Sequence, residues 1–250
     1  MKIVLAACSY RYLDKATAFA IAKLSTYLSN GGKPGHRFLH TLRSPDADIA
    51  RARSQIATDF LELSDCDALL FIDDDIIFNP EDAVKLADFC EKTEEIVCGA
   101  YVTKSDPPQL ACRLYDNQRV LFHAAEKPVE ILYAAGGFTM IHRKVFENMK
   151  RKLFLCFAGS KSQKAFYPFF IPMAKRVSSI INLFKKEWEY LSEDFAFCDR
   201  ARQDGNKIWL DPSVRLEHVG PYRYSLEDLE RFSVEKKPND NMAVTKVRLV

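Results

Sequence analysis

The stretch Asp67–Phe78, D-A-L-L-F-I-D-D-D-I-I-F, decides how the rest of the chain is read. Ala68, Leu69, Leu70, Phe71 and Ile72 form an unbroken apolar run of the length expected for a strand covered on both faces. The run stops at Asp73, Asp74 and Asp75. Carboxylates crowded at the end of a buried strand repel one another. A divalent cation among them offsets that repulsion, and hard cations such as Mg²⁺ and Mn²⁺ take oxygen ligands and bridge phosphate oxygens. Turn and capping roles are the plainer alternative. The helix that follows needs only one cap, however, and Asn79 ahead of Pro80, Glu81 and Asp82 supplies it. The triplet therefore reads as a metal and phosphate site.

Towards the amino terminus, Ile3–Ala7 is predicted as a first strand, Cys8-Ser9-Tyr10 as a loop, and Ala16–Leu28 as an alanine-rich helix stopped by Ser29-Asn30-Gly31-Gly32. His36–Leu42 reads as a second strand. Asp48–Leu63 reads as a helix with Ile49, Ala52, Ile56, Phe60 and Leu63 on one stripe and with Arg51 and Arg53 on other faces. Beyond the acidic strand come a helix over Glu81–Lys92 and a strand over Glu95–Val102. This alternation predicts an α/β fold with a mostly parallel sheet covered on both faces.

The rhythm changes after Pro107-Pro108, where Leu110–Leu114, Val120–His123 and Val129–Tyr133 read as short strands of a more antiparallel half. Gly136 and Gly137 precede a strand at Thr139-Met140-Ile141 and a helix from Lys144; a glycine pair there lets a backbone or ligand approach closely, with a simple turn or bulge as the alternative. Lys150–Lys186 holds nine Lys or Arg, no Asp or Glu and seven aromatics, against a net charge of +2 for the whole chain, so the remainder is net acidic. That composition predicts a mobile flap meeting a phosphate-bearing ligand or a membrane surface; a helical insertion whose aromatics pack inside and whose lysines are solvated is the alternative. Ser192-Glu193-Asp194 opens another helix, Lys207–Asp211 reads as a last strand, and His218 stands near the end of the ordered part, before a loosely attached tail from about Glu235.

The 250 residues, 48% hydrophobic and 28% charged, are proportioned for one globular domain of catalytic size. The small net charge exerts no pull towards nucleic acid. Seven cysteines, an odd number without a C-x-x-C pair, fit reduced thiols in a cytoplasm. The apolar residues after Met1-Lys2 are too few for a signal peptide, and no run of about 18 apolar residues is present to span a membrane.

Four segments in order, F-I-D-D-D (71–75), A-A-G-G-F (134–138), S-E-D-F (192–195) and E-H-V-G (217–220), give the chain its family likeness. It resembles the nucleotide-sugar-dependent glycosyltransferases of the GT-A fold, especially inverting family 2-like members, with a further kinship to small viral or phage-type enzymes. The resemblance spans Lys2 to about Gly220. It implies a Rossmann-like mixed sheet flanked by helices in a single domain, 1–234, with a nucleotide-sugar-binding half at 1–103, an acceptor and catalytic half at 104–234, and a tail at 235–250. It also implies Mn²⁺ or Mg²⁺ held by Asp73, Asp75 and His218, and a UDP- or GDP-type donor contacted by Ala7, Ser9, Arg51 and Asp74. Gly136 and Gly137 would then lie on the acceptor side, Asp194 would be the general base and Glu193 its neighbour. The acceptor would be a glycan, glycoprotein or glycolipid. The enzyme would be cytoplasmic, in a host cytoplasm if viral, with peripheral membrane contact through 150–186.

Three other classes fit less well. A haloacid dehalogenase-type phosphohydrolase has its acidic motif in the first strand and Thr or Val where this chain has Ile77. A sugar nucleotidyltransferase would carry a glycine-rich loop after the first strand, where this chain has Ala6-Ala7-Cys8-Ser9-Tyr10. A non-catalytic glycan-binding module would have no use for every acidic motif.

Overall fold

Along β1 (Lys2–Cys8), Ile3 and Leu5 join one apolar cluster while Val4 and Ala6 join another, so a single strand feeds the cores on both faces of the sheet. The other elements follow in chain order. They are α1 (Lys15–Ser29), β2 (Arg37–Ser44), α2 (Ile49–Glu62), β3 (Ala68–Asp73), β4 (Ile76–Ile77), α3 (Pro80–Thr93), β5 (Ile96–Ala100), β6 (Val129–Glu130), β7 (Phe138–His142), α4 (Arg143–Lys150), β8 (Cys156–Phe157), β9 (Ala165–Phe166), β10 (Met173–Arg176), β11 (Trp188–Leu191), α5 (Glu193–Gln203), β12 (Ile208–Arg215), β13 (Glu217–Val219) and β14 (Arg223–Tyr224). The structure is a computed structural model and describes residues 1–9, 12–30, 35–44, 46–63, 65–122, 127–159, 164–177 and 188–229, with only the backbone at 40–43. Tyr10, the Gly31-Gly32 stop, His123, the parts of the basic segment at 160–163 and 178–186, and the tail at 235–250 lie outside the described residues.

The main sheet is mixed, with strand order β2-β1-β3-β7-β5-β12-β6. The strands β2, β1 and β3 run parallel, as do β5 and β12, while β7 lies antiparallel between β3 and β5. The two stretches of sequence with different rhythms thus share one sheet. Helices α1 and α3 cover one face through Leu24, Ala83 and Leu86. The other face is covered by α2, α4 and α5 through Ile56, Phe60, Phe146 and Phe197. Asp48 caps α2 by accepting from the amides of Ala50 and Arg51, and Asn79 and Asp82 form a capping box at α3. The Ile49 end of the expected α2 stripe is exposed.

Only part of the expected antiparallel region forms strands. Leu110 and Arg113 make isolated bridges to Val102 and Tyr133, and Val120 and Phe122 are buried without joining a strand. The Gln118 side chain takes up two backbone groups of this region. It accepts from the Tyr115 amide at 2.9 Å and donates to the Glu130 carbonyl at 2.7 Å, using backbone groups that a ladder would pair.

Within the described part of the basic segment Phe166, Phe169 and Phe170 are packed inside, which corrects the flap expectation for these later aromatics. Phe169 and Phe170 are fully buried, and Phe170 stacks on Phe197 at 4.4 Å and meets Phe71 edge-on at 5.3 Å. Their apolar area is worth more inside than at an interface. Lys164 pairs with Asp59 and Glu62, and Lys175 with Asp199. Phe154 and Phe157 are exposed. Among the described residues no helix is long and apolar enough to cross a membrane, and all seven cysteines are free thiols.

Candidate active site

The parallel register of β1 and β3 sets Cys8 beside Asp73, at the carboxyl ends of both strands. Ligand crevices in α/β sheets open at such ends. Ala7 pairs with Ile72 one step earlier, and Ser9 follows β1 directly; both are buried. The Asp73 amide donates to the Gly137 carbonyl at 2.9 Å, which ties the acidic turn to the loop before β7.

Arg53 organises this end of the sheet. Its side chain is 3% exposed, and its Nη2 donates to both carboxylate oxygens of Asp73 at 2.7 and 3.0 Å while Nη1 donates to Glu193 Oε1 at 2.7 Å. One buried guanidinium therefore joins the end of β3 to the first turn of α5. Burial acts against its charge, but the Asp73, Glu193 and Asp194 carboxylates outweigh it and hold the pKa well above the ordinary value. Burial pushes the Cys8 thiol up to about 12, against the charge of Arg53, so it stays protonated. Glu193 is raised by burial, with the Arg53 charge opposing and Asp194 adding to the shift.

The glycine pair is fitted to this arrangement. A β-carbon on Gly137 would lie 2.5 Å from the Tyr101 hydroxyl oxygen and 3.2 Å from Asp73 Oδ2. As it stands, the Gly137 amide donates to that hydroxyl at 3.0 Å. Tyr101 sits at the end of β5, and burial first, then the Asp73 and Asp194 charges, keep its phenol neutral. Asp194 Oδ1 accepts from the Phe195 amide at 2.8 Å and from the Ser192 hydroxyl, while Oδ2 accepts from the Gly136 amide at a longer 3.3 Å. The amino end of α5 thus fixes one oxygen and turns the other towards the glycine loop.

On the other side of the triplet, the pairing of β4 with β13 sets His218 opposite Ile76. Its Nδ1 lies 2.8 Å from the Val102 carbonyl and its Nε2 3.3 Å from Asp75 Oδ1. Because a carbonyl only accepts, Nδ1 carries a proton, and the contact with the Asp75 carboxylate is a hydrogen bond only when Nε2 carries one too; a cation in place of that proton would take the Nε2 lone pair. An imidazole held this way through its other nitrogen, next to a carboxylate, fits a divalent cation. Lys104 also pairs with Asp75. Burial tends to raise the Asp75 carboxyl, but hydrogen bonds from His218 and Lys104 and their charges hold it below the ordinary range. At Asp74 the balance is reversed: burial, then Asp75 and Asp73, push the carboxyl up against the weaker pull of the Lys104 charge. Its backbone carbonyl accepts from the Asp14 amide at 2.8 Å, which anchors the turn to the cap of α1.

The structure therefore brings Asp73, Glu193, Asp194, Gly136 and Gly137 together around Arg53, and Asp75 with His218 beside them. Asp73 is taken by the guanidinium, and among the described residues no group of three or more His, Cys, Asp or Glu side chains converges as a ready metal cage. Arg51 makes no contact with the triplet. It forks onto Asp46 through Nη2 at 2.7 Å and through Nε, on a cleft of about 460 Å³ lined also by Gln55, Asp59, Lys164 and Phe166. Arg53, expected on another face of α2, takes the inward position. Its signal was present in the sequence, because Arg53 precedes Ile56 by three residues and Phe60 by seven, within the apolar stripe. Tyr101 and Lys104 were also missed; they follow β5 without a recognisable motif.

No protein-family model and no curated protein matches the chain. Among solved structures it is similar to A197 from STIV, with 18% identity, 90% of each chain covered and a TM-score of 0.55. That likeness establishes a shared fold. Weaker likenesses are to S. aureus TarS 1-349 in complex with UDP-GlcNAc, at 12% identity over 90% of this chain and 58% of that one with a TM-score of 0.43, and to a glycosyltransferase involved in the glycosylation of the major capsid of PBCV-1, at 18% identity over 58% and 62% with a TM-score of 0.30.

Proposed function

We propose that this chain is a GT-A glycosyltransferase, a single domain over 1–234, that moves a sugar from a UDP- or GDP-type nucleotide sugar to a hydroxyl of a glycan, glycoprotein or glycolipid with inversion. The observation that carries the reading is the convergence of Asp73 at the end of β3 with Glu193 and Asp194 at the start of α5, through the buried Arg53. An acidic end of a parallel strand and an acidic helix start, held in one crevice, supply the two sides of a displacement.

Asp75 and His218, with Asp73 in reach of the same crevice, would hold Mn²⁺ or Mg²⁺. When bound, the cation would neutralise charge on the departing diphosphate. Ala7, Ser9 and Asp74 line the donor side, and Arg51 is the more distant donor contact. On the acceptor side, Gly136 and Gly137 let the acceptor approach closely. Asp194 Oδ2, held only by the long bond from Gly136, takes the proton of the acceptor hydroxyl. The acceptor oxygen bonds to the anomeric carbon as the bond to the phosphate oxygen breaks, and the nucleoside diphosphate leaves with that electron pair. Seven free thiols support a reducing, cytoplasmic location.

A thermal-shift panel of UDP- and GDP-sugars with Mn²⁺ or with chelator tests the donor site. A ligand at 100 times its dissociation constant adds about 2.7 kcal/mol of stability, so at least one donor should raise the melting temperature with Mn²⁺ and not with chelator. Equal shifts in both conditions would remove the metal assignment, and no shift with any donor would remove the reading itself.

A further inference from the structure

The hairpin formed by β10 and β11 leads directly into the amino end of α5. Its two faces differ. Lys175 and Glu189 pair across the strands and turn inward, Lys175 to Asp199 and Glu189 to Arg113, whose guanidinium lies 5.1 Å from the ring of Phe195, the residue after Asp194. Leu191 closes this inner side, fully buried. The register places Ala174 opposite Tyr190 and Arg176 opposite Trp188 on the other face. There Trp188 is 63% exposed and Tyr190 73% exposed.

We propose that Trp188 and Tyr190 form a stacking platform for the acceptor glycan, an inference that rests on the sugar-transfer reading and deepens it. Alternate residues of a strand share a face, so the two rings form one strip. The inner ion pairs fix that strip to α5, and small Ala174 leaves the face of Tyr190 open. Large flat rings with one polar edge match a sugar, whose ring offers an apolar C–H face and a rim of hydroxyls. At roughly 3.3 Å per residue, Tyr190 lies within about 13 Å of Asp194 along the chain and Trp188 about 7 Å beyond. These spans are short enough for an oligosaccharide of a few units held on the strip to reach the proposed base. The strand that carries both rings runs straight into the first turn of α5, where Glu193 and Asp194 stand, and this favours a glycan over a lipid surface as the occupant.

The test uses the full chain with a printed array of neutral and phosphate-bearing oligosaccharides, comparing wild type with Trp188→Ala/Tyr190→Ala and with Trp188→Phe/Tyr190→Phe. Wild type should bind a subset of the glycans, the alanine pair should lose at least tenfold in signal, and the phenylalanine pair should keep most of it. Fluorescence gives a second readout. Trp188 is one of two tryptophans, and the other, Trp209, is partly buried against Phe89. A bound glycan should change the exposed Trp188 emission. Nucleoside diphosphate release from donor sugars in water is measured in parallel and should be equal in all three proteins. Release with no glycan bound by wild type, or with equal glycan binding by the alanine pair, would overturn the platform and leave the transfer reading standing. Glycan binding that depends on the rings without any nucleotide release would uphold the platform and remove the transfer reading. Ring-dependent sedimentation with phosphatidylcholine/phosphatidylserine vesicles, with the array blank, would replace the glycan by a lipid surface.

Discussion

A β-carbon at position 136 would lie 2.4 Å from the guanidinium carbon of Arg53, so Gly136 and Arg53 fit only as a pair. Gly136→Ala should displace the guanidinium from Asp73 and Glu193. Overpacking of this kind costs about 1–3 kcal/mol, so the urea midpoint should fall and the donor-dependent thermal shift should shrink. An unchanged midpoint would mean that the loop yields without moving Arg53.

Arg53 itself should be far more sensitive. Removing one partner of a buried ion pair leaves an uncompensated charge, at about 3–5 kcal/mol. Arg53→Met should therefore destabilise by that order in equilibrium unfolding, and adding Asp73→Asn and Glu193→Gln should recover most of the loss. Arg53→Lys keeps the charge but lacks the fork that serves two carboxylates, so it should fall below wild type while losing less than Arg53→Met. Full stability of Arg53→Lys would contradict the bridging role.

Asp74 and Asp75 should respond to pH with opposite signs. The Asp74 carboxyl is raised in the fold by burial and by Asp75 and Asp73, so its contribution is fully present below the ordinary value of 3.8 and is lost as pH rises through the raised value. Asp74→Asn should accordingly melt higher than wild type at pH 7 and converge with it in acid. Asp75 is lowered despite its burial, by His218 and Lys104, so its contribution is present above 3.8 and lost as pH falls through the lowered value. Asp75→Asn should melt lower than wild type at pH 7. Melting curves across the acid range decide this, and a pH-independent offset for either variant would refute the electrostatic origin.

Lys104 competes for the carboxylate that the proposed cation would use. A partly exposed pair is worth about 0.2–1 kcal/mol. Lys104→Met should lower the melting temperature slightly without metal and tighten Mn²⁺ binding by up to about fivefold in calorimetry without nucleotide. Weaker Mn²⁺ binding by the variant would show that the lysine supports the cation site instead.

Much of the fold was legible because its strands are apolar runs with clear stops. Ala68–Ile72 reads as buried from composition alone, and Asp48 and Asn79 mark helix starts by their capping chemistry. What the sequence concealed depends on contacts between distant residues. The insertion of β7 between β3 and β5 follows from packing across the sheet, and no local pattern encodes it. The sequence places Arg53 off the apolar stripe of α2; its spacing to Ile56 and Phe60 hints at the inward position, but its two partners, Asp73 and Glu193, come from distant segments. The aromatics of the basic segment misled for a similar reason. Phe169 and Phe170 fill the space between α4, α5 and the sheet, a place that composition alone could not assign.

The most direct measurement of the central claim is nucleoside diphosphate release from a panel of UDP- and GDP-sugars with Mn²⁺, by wild type, Asp75→Asn and Asp194→Asn, with glycan acceptors added. Loss of a positioned base costs about 10²–10⁴-fold in rate. Wild type should release nucleotide from at least one donor and form a product of inverted anomeric configuration, Asp194→Asn should still bind that donor but lose transfer by that factor, and Asp75→Asn should fail at donor binding. Transfer by Asp194→Asn at the wild-type rate, or no release by wild type from any donor, would contradict the account.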